Sequence, residues 1–142
     1  MLVAGRRVAP LVQADALALP VSSGAVGGVT CGFALRNVVE LPRLFAEFAR
    51  VLRPGGRMAL LEVAEPTSPL VRAGHALYFR RVVPLVGGLL SDRTAYRYLP
   101  KSTAYLPPLE DLLALVGAAG FTEVRSIPLG LGAVRITTGT RR

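Results

Sequence analysis

Between Leu41 and Leu52 the apolar residues fall at 41, 44, 45, 48, 51 and 52, a spacing that lines them along one face of a helix. Arg43, Glu47 and Arg50 take the opposite face, at separations that let opposite charges pair. Arg53-Pro54-Gly55-Gly56 follows and is expected to stop the helix, because proline cannot continue it and glycine accepts a positive φ. The next run, Met58–Val63, is apolar throughout except for Glu62 near its end. Such a run predicts a strand buried on both faces, as in a parallel sheet covered on both sides. Helix, glycine-rich turn and buried strand make half of a βαβ unit.

The rhythm repeats on either side. Pro10–Ala14 predicts a short strand ending at Asp15, and Gly28–Leu35 a buried strand of small and branched residues. Leu109, Leu112, Leu113 and Val116 return to helical spacing, with Glu110 and Asp111 near the positive N-terminal end and Gly120 placed as a C-terminal cap. Glu123–Leu129 and Ala133–Thr138 predict two closing strands near enough to pair antiparallel. Alternation of this kind predicts an α/β fold with a mostly parallel sheet and an antiparallel closing strand. The stretch Pro66–Pro108 breaks the rhythm: prolines at 66, 69, 84, 100 and 107 interrupt it, and all four tyrosines fall inside it. It reads equally as a lid or substrate wall and as a helix laid over one sheet face.

Composition narrows the function classes. The 142 residues are 51% hydrophobic with a mean hydropathy of +0.46, enough for one folded domain and too apolar for disorder. One cysteine and one histidine exclude a disulfide framework and a multi-ligand metal site. No stretch reaches the ~20 apolar residues that a spanning helix needs, and the first twenty residues lack the charge order of a signal peptide. The expected location is therefore cytoplasmic. The net charge of +8 rests on arginine, with Lys101 the single lysine. Arg6/Arg7, Arg80/Arg81 and Arg141/Arg142 are scattered pairs without interleaved aromatics, so no nucleic-acid partner is expected.

In an open α/β sheet, ligands bind outside the carboxyl ends of the strands. Three such ends carry distinctive residues: Asp15-Ala16, then Gly32 with Arg36-Asn37, then Glu62 and Glu65. An acid followed by a small residue can accept from an adenine amino group while a backbone N–H donates to the ring, although Asp15 would equally serve as a turn former. Gly32 would let a ligand come close to the backbone. Arg36 could bind a ligand or pair with Glu40 a helical turn later. Cys31 reads as a packed thiol with nothing adjacent to activate it, and His75 as a surface or lid position. Glu62 and Glu65 read as strand-end carboxylates, in reach of a substrate or simply solvated.

The string Thr30-Cys31-Gly32-Phe33-Ala34-Leu35-Arg36-Asn37-Val38, with Asp15-Ala16-Leu17-Ala18-Leu19-Pro20 and Arg50-Val51-Leu52-Arg53-Pro54-Gly55-Gly56-Arg57, closely resembles the ubiquinone/menaquinone biosynthesis C-methyltransferases. These are class I S-adenosylmethionine-dependent methyltransferases. Tyr78-Phe79-Arg80-Arg81, Tyr96-Arg97-Tyr98-Leu99-Pro100 and Ala118-Ala119-Gly120-Phe121 continue the resemblance across essentially the whole chain.

The resemblance implies a Rossmann-like domain over residues 1–142 with a lid insert at 66–108, S-adenosylmethionine as cofactor, and methyl transfer to a ring carbon of a demethylmenaquinol or related hydroquinone. It places Asp15 and Ala16 at the adenine, Gly32 beside the cofactor, and Arg36 and Asn37 at the quinone ring, with no metal. A quinone-type lipid substrate further implies peripheral membrane contact. The family's glycine-rich cofactor loop and first two strands have no counterpart in the sequence, so a truncated domain is expected, with strand edges that pair with each other or with a second copy. A non-catalytic binding or scaffold module and a methyltransferase for another hydrophobic small molecule are the alternatives.

Overall fold

Residues 41–51 form a helix because their apolar stripe has somewhere to go. In the computed structural model, which describes residues 11–64 and 106–142, helix α1 (Leu41–Val51) carries proline in its first turn, where no backbone N–H is needed. It buries Leu44, Phe45, Phe48 and Val51. The chain then turns straight into strand β2 (Leu52–Val63). The Arg-Pro-Gly-Gly sequence was expected to separate helix from strand; it lies instead inside β2. Leu52 pairs with Val26 and Arg57 with Gly28, so four residues of β2 stand against one of its neighbour. Gly55 takes the positive φ of that excursion. At Gly56 a Cβ would meet the Arg53 carbonyl oxygen at 2.8 Å.

Strand β1 (Val26–Gly32) pairs parallel with β2. After β2 come helix α2 (Leu109–Ala118), strand β3 (Phe121–Leu129) and strand β4 (Val134–Arg141). The sheet order is β1-β2-β4-β3, with β4 antiparallel to both its neighbours. Three strands thus run one way and β4, wedged between β2 and β3, runs the other. Helix α2 forms on the spacing expected, burying Leu112 and Val116, with acids in its first turn and Gly120 beyond it at φ 95°. The closing strands also form as an antiparallel pair. β3 starts two residues earlier than expected because Phe121, 1% exposed, is drawn into the core.

Two strand readings are corrected. Residues 11–14 are exposed and form no strand; Asp15 accepts a hydrogen bond from the Leu17 N–H (2.9 Å) and its carbonyl one from Ala18 (3.1 Å), closing a turn. An apolar run of five residues does not by itself distinguish a strand from an extended loop. β1 exists but is not buried: every residue of it is half-buried or exposed, because it lies at the margin of the sheet. Likewise β2 is covered on one face only among the described residues. Met58, Leu60 and Glu62 turn under the helices, whereas Ala59, Leu61 and Val63 remain partly exposed beside Ile136 and the exposed Ile127 and Leu129. The 66–108 insert lies outside the described residues apart from its last three. No described helix is long and apolar enough to cross a membrane.

The polar face of α1 is solvated at Arg43 but not at Glu47. Glu47 is buried: its Oε1 accepts the Leu19 N–H at 2.6 Å, and both its oxygens take bonds from Arg50 at 2.7 Å. Arg50 donates onward to the Leu19 carbonyl and the Ser23 hydroxyl, while Gly24 N–H returns a bond to the Arg50 carbonyl. This clasp pins the 17–24 loop along α1. The Arg50 guanidinium, helped by the Leu19 amide and opposed by burial, holds the Glu47 carboxyl down at about 2, from an ordinary 4.5. A lowered folded-state value stabilises the fold above the ordinary carboxyl range, and that contribution is lost as pH falls from 4.5 toward 2. Glu47→Gln is expected to flatten this part of the stability–pH curve, measured by denaturant midpoints from pH 7 to 3; an unaltered slope refutes the clasp. Gly56→Ala should cost about 1–3 kcal/mol of stability, since backbone cannot yield as a side chain can, as read by the same midpoints at pH 7.

Candidate active site at the carboxyl ends of the strands

β1 ends at Gly32, and the chain then bends sharply. Phe33 adopts a left-handed conformation (φ 55°) while its N–H still donates to the Leu61 carbonyl at 2.8 Å, one step beyond the strand. A non-glycine residue held there carries backbone strain of ~1–3 kcal/mol. Its ring stays exposed. A single 3-10 turn follows, Leu35–Asn37, closed by bonds from Asn37 N–H to the Ala34 carbonyl and from Val38 N–H to the Leu35 carbonyl. Leu35, 1% exposed, anchors the turn in the core, and its N–H donates to Glu62 Oε1 at 2.8 Å across to β2.

That turn carries Arg36 and Asn37. The side chain of Arg36 is half-buried, and its Nε and Nη1 are buried without a hydrogen-bond partner among the described residues. The expected alternative, a salt bridge to Glu40, does not form; Glu40 pairs with Arg43 at 3.2 Å. Glu62 Oε2 and Arg135 Nε are buried and unmatched as well, and Arg135 stands opposite Glu62 in the β2–β4 register. Four of the five such atoms among the described residues belong to these three side chains. Leaving a buried donor or acceptor unmade costs about 1–3 kcal/mol, and these atoms gather at one end of the sheet.

The remaining expected site residues fall in two places. Gly32 lies three residues before the turn, on the same strand end, and a Cβ added there would meet nothing within 4 Å. Among the described residues, neither packing nor backbone demands glycine at this position. Asp15 and Ala16 belong to a separate exposed loop, tied through Leu19 to α1 rather than to the Arg36 turn. Asp15 is the turn former that its residue type allows, through Oδ1. Its Oδ2 takes no bond among the described residues, and with the Ala16 N–H it offers the acceptor and donor that an adenine edge requires.

Two details of this strand end were not legible in the sequence. Phe33 gave no signal, because positive φ is a property of the bend. Glu62 reads from sequence as a strand-end acid in reach of substrate or simply solvated; it is 7% exposed, so it is not solvated, and its alternation with Met58 and Leu60 could have shown that it points inward. Burial foremost, then the Glu62 charge, pushes the neighbouring Cys31 thiol up, against a hydrogen bond from the Ala34 backbone. Cys31 is accordingly a packed thiol and not a nucleophile. Glu65 and His75 lie outside the described residues.

The fold is that of the S-adenosylmethionine-dependent methyltransferases. A methyltransferase from Aquifex aeolicus superposes with a TM-score of 0.57 at 12% identity, over 94% of this chain and 55% of that one. Haemonchus contortus phosphoethanolamine N-methyltransferase 2, solved with S-adenosyl-L-methionine, gives 0.57 at 11% identity over 89% and 36%. More particularly, residues 4–141 match the ubiE/COQ5 methyltransferase family, and the chain belongs to it. The demethylmenaquinone methyltransferase of Roseiflexus castenholzii is 45% identical over 99% of this chain and 59% of its own length. The ubiquinone/menaquinone biosynthesis C-methyltransferase of Syntrophotalea carbinolica is 39% identical over 92% and 55%. The chain thus spans under two thirds of these curated relatives.

Gly32 separates packing from binding. Gly32→Ala is expected to leave the unfolding free energy within ~0.5 kcal/mol. It should weaken S-adenosylmethionine binding by about tenfold or more, a clash of ~1–3 kcal/mol against a ligand lying on the strand end. Calorimetric titration beside a denaturant melt reads both, and unchanged binding removes Gly32 from the site.

Proposed function

We propose that this chain carries the substrate side of an S-adenosylmethionine-dependent C-methyltransferase acting on a demethylmenaquinol or related hydroquinone. The observation that carries the proposal is the Arg36 guanidinium, delivered by the turn after β1 with two buried N–H groups unmatched. Its support from relatives is the family membership and the demethylmenaquinone methyltransferases at 43–46% identity.

An aromatic ring carbon attacks a methyl group effectively only after a neighbouring hydroxyl has lost its proton and pushed charge into the ring. Arg36 is suited to stabilise that phenolate oxygen, since a guanidinium remains cationic at any working pH and donates along a fixed plane. Asn37, one residue on, orients the hydroxyl or a bridging water through its amide. Asp15 and Ala16 hold the adenine edge and Gly32 leaves clearance beside it. The cofactor supplies an electrophilic methyl on sulfonium sulfur. Bound there, it would pass that methyl to the ring carbon in exchange for the ring proton, which would go to solvent and restore aromaticity. Positioning the ring in line with that methyl supplies the remainder of the rate.

The same proposal includes the lipid tail. Val39 and Leu131, 98% and 81% exposed, flank this end of the sheet with Phe33 and suit an apolar chain or a membrane surface. Peripheral membrane contact, a cytoplasmic location, and pairing of copies along β1, which has one neighbour among the described residues, belong to the proposal. The test is direct. The chain is expected to bind S-adenosylmethionine in a calorimeter and to methylate a reduced demethylmenaquinone. Arg36→Ala should lower turnover about a hundredfold, the usual loss for one stabilising donor, with cofactor affinity unchanged. Binding without turnover would favour a scaffold role, and unaltered turnover in the variant would remove Arg36 from the mechanism.

A further inference from the structure

Glu62 stands where the pattern of β2 calls for an aliphatic side chain. It continues the inward face of Met58 and Leu60, each 1% exposed, and is itself 7% exposed. A carboxyl group there is costly compared with leucine unless it makes bonds that leucine cannot. An ion pair is not the compensation: Arg135 faces it across the sheet, yet no cation lies within 4.0 Å of its oxygens among the described residues, and Oε2 is unmatched. Among the described residues Glu62 makes one buried hydrogen bond, accepting the Leu35 N–H at 2.8 Å from 27 residues earlier in the chain.

The place of that bond gives it meaning. The turn Leu35–Asn37 has no side-chain cap of its own, and the β1–β2 ladder ends at Phe33 N–H. Past that point the Leu35–Glu62 bond ties the Arg36 turn to the sheet. We propose that Glu62 is a positioning residue: by holding the Leu35 amide it sets where Arg36 and Asn37 stand relative to the end of β2. Acceptor geometry does this, so a neutral acceptor of the same length serves as well. The inference rests on the methyl-transfer role of Arg36 given above, but the tie itself is a property of the chain alone.

Two variants separate the possibilities. Glu62→Leu keeps the buried volume and removes the acceptor, whereas Glu62→Gln keeps the acceptor and removes the charge. Amide hydrogen exchange of the 142-residue chain, without ligand, should show Leu35 protection falling about tenfold or more in Glu62→Leu and retained in Glu62→Gln. With substrate, Glu62→Leu should lose about a hundredfold in kcat at an unchanged KM for S-adenosylmethionine, while Glu62→Gln recovers to within roughly threefold of the parent, as misplacement but not charge governs the loss. Equal Leu35 protection in Glu62→Leu and the parent overturns the proposal. So does a Glu62→Gln variant as slow as Glu62→Leu, which would make the charge, not the tie, the operative feature. If the parent chain itself fails to turn over, the methyl-transfer reading falls, and the exchange result alone decides whether Glu62 holds the turn.

Discussion

The passage from α1 into β2 at Leu52, without an intervening loop, is the constraint on which the rest of the architecture depends. Because helix and strand are joined directly, the buried stripe of one continues into the buried face of the other through Val51 and Leu52, and the two cannot be displaced independently. β1 is then registered on β2, β4 is registered on its other side, and α2 and β3 close over what remains. The Arg36 turn is positioned from this unit, through the parallel ladder that ends at Gly32 and through Glu62, which lies on β2 itself.

The two buried glutamates show how bond-making distinguishes structure from function. Glu47 has both oxygens occupied, by Arg50 and a backbone amide, and its work is to fasten a loop. Glu62 has one oxygen occupied, in a neighbourhood where Arg36 and Arg135 also hold unmade bonds. A fold optimised for stability alone would not gather unmatched polar atoms at one end of a sheet. The strain at Phe33 lies at the same end, where backbone is bent to a purpose instead of relaxed.

Much of this was legible in the residues. The periodicity of α1 and α2 and the antiparallel closure were read correctly because each has a strong local signal, a sustained 3.6-residue stripe or two branched runs around a glycine turn. The failures have the opposite character. Whether residues 11–14 pair, how far β1 is buried, and whether Arg-Pro-Gly-Gly ends a helix or bulges a strand depend on neighbours distant in sequence. The Arg36-Asn37 turn was found through its family string, and the structure places it on a strand end as expected. Its fastening to Glu62 was hidden, since no local pattern announces a hydrogen bond between residues 27 positions apart.

The placement of β4 bears on how such a chain is made. The strand formed from residues 134–141 is last in sequence among the described elements, yet it occupies an interior slot, between two partners synthesised before it. As the polypeptide leaves the ribosome, β3 emerges with no edge to join, and α2 has only part of its platform. The flank of β2 that β4 covers stays unpaired by it until residues 134–141 have been made. A nascent chain stopped short of residue 134 would present that flank to any other strand it met.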